Sequence, residues 1–484
     1  MRARQSGKPP LSGLLRCCAP RNDAFVNHSF NPTILREYDI RGIVGDTLTE
    51  ADAYALGRTY AAKAHGEGAR TIAVGRDGRT HSGMLEAELI RGLTEGGINV
   101  VQIGMGPSPM LYFATHYLDV DGGIQVTGSH NPADYNGFKL LLNGRSLFGA
   151  EIQEIGQRAA SGHWSEGDGT VEEVDIREAY VERLLQDFSG KAFRIGLDAG
   201  NGAAGPILDM LVDRLPGQHH VIFSEVDGRF PNHHPDPTVE ANLADLKALV
   251  AREQLDFAIA FDGDGDRIGA VDGEGRVIWG DQLMLILAGP VLRELPGATI
   301  IADVKASQVL FDGIARLGGQ PLMWKTGHSL IKSKMKETGA PLAGEMSGHI
   351  FFKHRWYGFD DALYAAVRLI EAVTGSGKSL TEIMDAMPRS VATPELRFPV
   401  DEVRKFRIVD EVRDRLSSDG AKIDATDGVR VSTADGWWLL RASNTQDVLV
   451  ARAEASDQGG LERLVAQIDD QLAKSGIKRV EAVH

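Results

Sequence analysis

The chain has 484 residues, 43% hydrophobic and 25% charged, with 52 Lys plus Arg against 67 Asp plus Glu and a formal net charge of −15. That balance is the one of a globular protein rather than a fibrous, disordered or membrane one, and its length accommodates about three or four domains. The acidic excess repels polyanions, so no nucleic-acid partner is expected, and an anionic substrate needs a local basic pocket.

The first 22 residues, MRARQSGKPPLSGLLRCCAPRN, are basic and contain the only two cysteines, Cys17 and Cys18. Their apolar part is a few residues long and no small-residue cleavage site follows, so residues 1–29 read as a disordered extension rather than a targeting signal. A body without cysteine has no disulfide framework, which makes the cytoplasm the default compartment. The longest apolar run, LMLILAGPVL, is interrupted by Gly-Pro. It falls short of the roughly 18 residues of a membrane helix, so no membrane partner is expected.

Six short β-rich runs follow: TIAVGRDGR (71–79), NVVQIGMGPSP (99–109), GGIQVTGSHNP (122–132), FRIGLDAGNGAAG (193–205), FAIAFDGDGDR (257–267) and TIIADVKASQ (299–308). Each reads as a buried strand, a Gly-rich turn and then a helix. Three of these units, starting near Thr71, Phe193 and Thr299, recur at comparable spacing and predict three similar α/β domains in series. After about Ser390 the pattern changes, and the alternation and paired Trp of GVRVSTADGWWLLRASN (428–444) predict a smaller α+β domain with a meandering antiparallel sheet. The segments 157–169 and 374–379, rich in Gly and Ser, read as surface connections. The expected domains are 30–174, 175–278, 279–390 and 391–484.

Four motifs carry chemistry, each with a plainer alternative. TGSHNP (127–132) displays Ser129 just past a strand, with His130 beside it; the serine is a nucleophile or phosphoryl carrier, or else an ordinary N-cap. FDGDGDR (261–267) sets Asp262, Asp264 and Asp266 at alternate positions of a Gly-spaced loop, where three carboxylates repel unless a hard cation joins them. The spacing does not fit an EF-hand, since Arg267 and Gly273 stand where that loop needs Gly and Glu, so Mg²⁺ is the expected ion, with a solvated acidic turn as the alternative. GEMSGH (344–349) would bring Glu345, Ser347 and His349 to one side of an extended segment, a grip for sugar hydroxyls or a simple turn. RASNTQ (441–446) offers Arg441, Ser443, Asn444 and Thr445 to a phosphate, or forms a polar loop.

Taken together and in this order, the four motifs resemble the α-D-phosphohexomutase superfamily, in its bacterial phosphomannomutase/phosphoglucomutase branch, over about residues 30–483. The resemblance implies three similar α/β domains with mixed sheets plus a smaller C-terminal α+β domain around a central cleft. It implies Ser129 as the phosphoserine and, with Asp262, Asp264 and Asp266, a magnesium ligand. Glu345 and Ser347 become readers of sugar hydroxyls, and Arg441, Ser443, Asn444 and Thr445 the loop that anchors the non-reacting phosphate. Further matches are Tyr38 and Arg41 in REYDIRG, Lys139 in GFKL, Lys305 in DVKAS and His328 in KTGHS. Arg267 follows the metal loop, and Lys139 and His349 resemble the proton-transfer groups. Gln282 in GDQLM departs from the arginine of several relatives and puts one phosphate contact in question. The implied activity interconverts hexose 1- and 6-phosphates of mannose, glucose or both, through a hexose 1,6-bisphosphate, in a monomer or dimer. A phosphoglucosamine mutase and a metal-dependent sugar phosphatase are the rivals.

Overall fold

The computed structural model describes residues 27–444 and 446–479. The extension up to residue 26, and Thr445, lie outside the described residues. His28 already belongs to the first domain: its amide donates to Ala159 O at 3.0 Å and its ring meets Asp52 Oδ1 at 2.7 Å.

One four-strand plan occurs three times. In the first domain Thr71–Arg76 lies between Asn99–Met105 and Gly122–Val126, both parallel to it, and Tyr135–Leu142 pairs antiparallel with Gly122–Val126. In the second, Phe193–Asp198 lies between Gly217–Ile222 and Phe257–Phe261, with Ile268–Asp272 antiparallel to the latter. In the third, Thr299–Asp303 lies between Gln320–Trp324 and Leu342–Gly344, with Ile350–Phe352 antiparallel. The three predicted repeat starts are therefore the three central strands. Each leads into a helix, at Ser82–Glu95, Gly205–Val212 and Gln308–Arg316, the last capped by Ser307 Oγ accepting from Val309 N at 3.0 Å.

Two of the six runs differ from the expectation. GGIQV and FAIAF lead not into helices but into the antiparallel strands Tyr135–Leu142 and Ile268–Asp272. The reason is local. IGAVD is a five-residue, fully buried run closed by a turn at Asp272–Gly275, where Gly275 has φ 82°, too short and too apolar for an amphipathic helix. Their loops are consequently pinned at both ends by neighbouring strands.

The fourth domain is an antiparallel sheet of six strands between Val391 and Ala455, covered by helices Glu402–Ser418 and Gln458–Lys474. Its core, with Trp438 and Leu440, is its own, whereas one apolar core runs continuously through parts of the first three domains. The adjacent tryptophans take opposite faces, as strand geometry requires: Trp438 enters the domain core while Trp437 packs against Val304 and Leu439. Among the described residues, no helix is long and apolar enough to cross a membrane.

Candidate active site

The antiparallel strand pairs place three loops against one another. The loop after Gly122–Val126 carries Ser129, whose φ of 49° is left-handed and which is 4% exposed, so it is not a helix N-cap. The shape is enforced from behind by Arg79, whose guanidinium donates to four carbonyls: Ser129 at 2.7 Å, Asn131 and Pro132 at 2.5 Å and Tyr135 at 2.9 Å. Gly128 is required here, since a Cβ would lie 2.3 Å from Arg79 Nε. Arg41 adds bonds to Gly128 O at 2.8 Å and Asn131 Oδ1 at 2.6 Å. The loop's hydroxyl, Ser129 Oγ, points to Asp262 Oδ2 at 3.2 Å and to His130 Nδ1 at 3.1 Å.

Asp262, Asp264 and Asp266 come from the loop after Phe257–Phe261 and are at most 1% exposed. One oxygen of each lies within 4.8 Å of the others, a spacing suited to an ion. Lys139, on the strand beyond the serine loop, inserts its ammonium at 2.6 Å from Asp264 Oδ2 and 2.5 Å from Asp266 Oδ2. Ser108 Oγ donates to Asp264 as well. Lys139 is bonded to two of the three buried carboxylates and His349 Nε2 lies 3.3 Å from Asp266 Oδ1, whereas Asp264 Oδ1 is buried without a hydrogen-bond partner. Burial, with Asp266 and Asp264 adjacent, pushes the Asp262 carboxyl well above the usual range. An unpartnered buried oxygen among three converging carboxylates is what a divalent cation would relieve, so the residues present fit one. Burial opposes charge on Lys139, yet Asp264 and Asp266 outweigh it and hold the ammonium protonated well past its ordinary range.

The GEMSGH segment is a turn rather than the extended segment expected: Gly348 N donates to Glu345 O at 3.0 Å and Gly348 has φ 89°. Gly348 is also where Ile268 comes closest, and a Cβ there would meet Ile268 O at 2.5 Å. The turn still gathers its polar groups. His349 Nδ1 lies 2.9 Å from Glu345 Oε2 and 3.1 Å from Ser347 Oγ, and its Nε2 lies 3.3 Å from both Asp266 Oδ1 and Arg267 Nε. Burial works against a charge on His349, but Asp266 and Glu345 outweigh it and push its pKa up to about 9. Burial, reinforced by Lys332 and His349, holds His328 well below its ordinary value, and its Nδ1 has no hydrogen-bond partner.

The peptide at 326–327 ties in the remaining residues. Thr326 N donates to Asp427 Oδ2 at 3.0 Å, the same oxygen that receives Arg441 Nε at 3.0 Å. Thr326 O accepts from Tyr38 OH at 3.0 Å, and that hydroxyl accepts from Asn444 Nδ2 at 2.8 Å. Gly327 N donates to Glu345 Oε1 at 2.7 Å. Lys305 Nζ reaches Glu395 Oε2 at 3.3 Å, and Ser443 Oγ accepts from Gln446 N at 3.2 Å. Gln282 turns its Oε1 to Trp279 N at 3.0 Å, at the start of helix Gly280–Glu294. Tyr38, Arg41, Ser129, His130, Lys139, Asp266, Arg267, Lys305, His328, Glu345, Ser347, His349, Arg441, Ser443 and Asn444 all line one cleft of about 1420 Å³. Asp262 and Asp264 lie beneath its floor. The sequence reading did not single out Arg79, Asp303, Asp427 or Arg452. Arg79 had a signal in the polar turn RDGR, but its partners lie some 50 residues away.

A four-strand α/β plan repeated three times, with a smaller fourth domain closing one cleft over Ser129 and three buried aspartates, is the architecture of a phosphohexomutase. The chain matches four family models: phosphoglucomutase/phosphomannomutase alpha/beta/alpha domain I over residues 32–166, domain II over 178–275, domain III over 279–391 and the C-terminal domain over 395–471. It is 45% identical to a phosphomannomutase/phosphoglucomutase of Pseudomonas aeruginosa across 91% of this chain and 95% of that protein. It is also 45% identical to a phosphoglucomutase of Neisseria gonorrhoeae, across 90% and 96%. The crystal structure of a phosphoglucomutase/phosphomannomutase family protein from Burkholderia thailandensis superposes with a TM-score of 0.88 at 41% identity, covering 92% of this chain and 98% of that one. The chain belongs to the phosphoglucomutase/phosphomannomutase family.

Proposed function

We propose that the protein interconverts hexose 1-phosphate and hexose 6-phosphate, of mannose, glucose or both, using phospho-Ser129 and a hexose 1,6-bisphosphate that turns over within the cleft. The observation that carries this reading is the 3.2 Å approach of Ser129 Oγ to Asp262 Oδ2 across two domains, inside a cleft lined from all four. The domains we take are 30–174, 175–278, 279–390 and 391–484.

In the proposed first half-reaction the bond from Ser129 Oγ to phosphorus breaks as one forms to the free hydroxyl of the bound hexose phosphate, and the hydroxyl proton passes to a cleft base. The second half reverses this from the other end of the sugar. Asp262, Asp264 and Asp266, with the serine phosphate, would hold Mg²⁺, which neutralises charge on the transferring group when bound. Arg267 sits beside that loop and supplies a further positive charge. Lys139 or His349, both beside the carboxylate loop, handles the hydroxyl proton. His328, whose ring lies 5.9 Å from that of His349 in the cleft, contacts the bound sugar phosphate. Glu345 and Ser347 orient the sugar, and Arg441, Ser443, Asn444 and Thr445, aided by Lys305, grip the phosphate that is not reacting. Retaining the bisphosphate requires water to be kept from the phosphoserine, which fits a cleft closed by the fourth domain.

The test is a coupled assay of mannose 1-phosphate, glucose 1-phosphate and glucosamine 1-phosphate with catalytic glucose 1,6-bisphosphate, read alongside free phosphate. Isomerisation without phosphate release supports the mutase. Stoichiometric phosphate release would make the protein a phosphatase, and preference for glucosamine 1-phosphate a phosphoglucosamine mutase.

A further inference from the structure

The segment that leaves strand Thr299–Asp303 is gripped by the neighbouring domain in an unusual way. Three successive carbonyl oxygens, those of Val304, Lys305 and Ala306, accept hydrogen bonds from guanidinium groups of the fourth domain. Arg430 Nη1 donates to Val304 O at 2.6 Å and Ala306 O at 2.9 Å, and Arg452 Nη1 donates to Lys305 O between them. Arg430 Nη2 reaches Gln308 Oε1 at 3.3 Å. Arg430 is 3% exposed and does not line the cleft. Its guanidinium is stacked 3.6 Å from the Trp437 ring centroid and 5.5 Å from that of Phe311, which fixes its plane. The side chain of Lys305 meanwhile turns to Glu395, also of the fourth domain, and lies 3.9 Å from Asp303.

From this arrangement we infer that Arg430 is a positioning residue for Lys305: it fixes the peptide planes on either side of that lysine, so the orientation of the fourth domain sets where the Lys305 ammonium meets substrate phosphate. The inference rests on the mutase reading above, in which Lys305 binds phosphate. Its physical basis is that planar group. The two N–H bonds of Arg430 Nη1 lie in a guanidinium plane held by Trp437, so bonding to carbonyls two residues apart constrains the dihedrals between them, which neither a freely rotating ammonium nor the shorter side chain of glutamine does. When the fourth domain rotates, both arginines move with their sheet and the backbone of Lys305 is drawn along, while Asp303, in the body of the third domain's sheet, is not.

The experiment is a double-mutant cycle of Arg430→Gln and Lys305→Ala, with KM and kcat for glucose 1-phosphate and a thermal melt for each protein. Arg430→Gln alone should raise KM about tenfold with kcat changed less than about threefold, and in the Lys305→Ala background it should raise KM by less than about twofold, because the residue it acts through is gone. Equal KM factors in both backgrounds would mean a general structural role and overturn the inference, as would an unchanged KM in the single variant. Arg430→Lys, which keeps stem and charge but lacks the planar, stacked nitrogen, carries the same cycle if the Gln variant does not fold. Wild-type protein without turnover would refute the mutase reading itself, a result distinct from active wild type with additive effects.

Discussion

Replacing Ser129 by Ala and by Gly separates chemistry from fold at one position. Both changes delete the hydroxyl and its bonds to Asp262 at 3.2 Å and His130 at 3.1 Å. At a net 0.5–1.5 kcal/mol each, this costs about 1–3 kcal/mol. The backbone distinguishes the two. At φ 49° a residue with a Cβ carries about 1–2 kcal/mol of strain. Glycine is free of it but loses roughly 0.5–1 kcal/mol more chain entropy on folding. The balance favours Gly over Ala by between zero and about 1.5 kcal/mol. Neither variant should isomerise hexose phosphates or take up phosphate on incubation with glucose 1,6-bisphosphate, read by intact mass. Side-by-side thermal melts should place Ser129→Gly at or above Ser129→Ala. Turnover by either variant would refute the carrier role, and a lower melting point for the Gly variant would refute the strained-backbone argument.

Arg79→Gln leaves four loop carbonyls without their shared donor and should lower stability by about 3–5 kcal/mol and turnover by at least about a hundredfold. Wild-type kinetics in that variant would show that the serine loop holds its own shape. Treatment with a chelator should abolish turnover and Mg²⁺ should restore it, with circular dichroism unchanged; full activity after exhaustive chelation counts against the cation site. Asp361, buried and bonded to Tyr180 OH at 2.8 Å, has its carboxyl pushed up by burial to about 7 from 3.8. A raised carboxyl stabilises the fold in its neutral form, so that contribution is complete below about pH 4 and lost as the pH rises through about 7, a change of up to about 4 kcal/mol. Asp361→Asn should flatten this fall in denaturation midpoints between about pH 4 and 7, and an unaltered slope would assign it to other groups. Tyr38→Phe removes the donor to Thr326 O and the acceptor of Asn444. It should loosen the fourth domain, raising KM and enlarging the radius of gyration in solution scattering; an unchanged profile would place closure elsewhere.

Much of this molecule was legible in its sequence because its chemistry sits at strand ends. An apolar five-residue run followed by polar Gly-spaced residues is a local pattern that singles out Ser129 and Asp262, while the spacing of polar groups in GEMSGH and RASNTQ singles out Glu345 and Arg441; the structure brings Ser129, Glu345 and Arg441 to one cleft with Asp262 beneath it. The element that follows such a loop was harder to read. YNGFKLLL and IGAVD return as antiparallel strands, and the difference from a short buried helix lies in pairing partners rather than in period. Supporting residues were invisible for a related reason. Arg79 acts on carbonyls some 50 positions away and Arg430 on ones 124 and 126 away, and a carbonyl has no side-chain signature to read. The alternate polar residues of GEMSGH suggest an extended strand, but Gly348 closes a turn that reaches the same convergence by another route.

The bridge between Arg267 and His349, and the close approach of Gly263 to the Ser129 carbonyl, weld the loops of the first three domains into a single block. On the mutase reading proposed above, phosphoryl transfer would belong to that block, and holding the far end of the sugar to a module with its own core. On that reading, substitutions in the turn or on the fourth domain would change which sugar phosphate is accepted while the block around Ser129 and Asp262 keeps its shape.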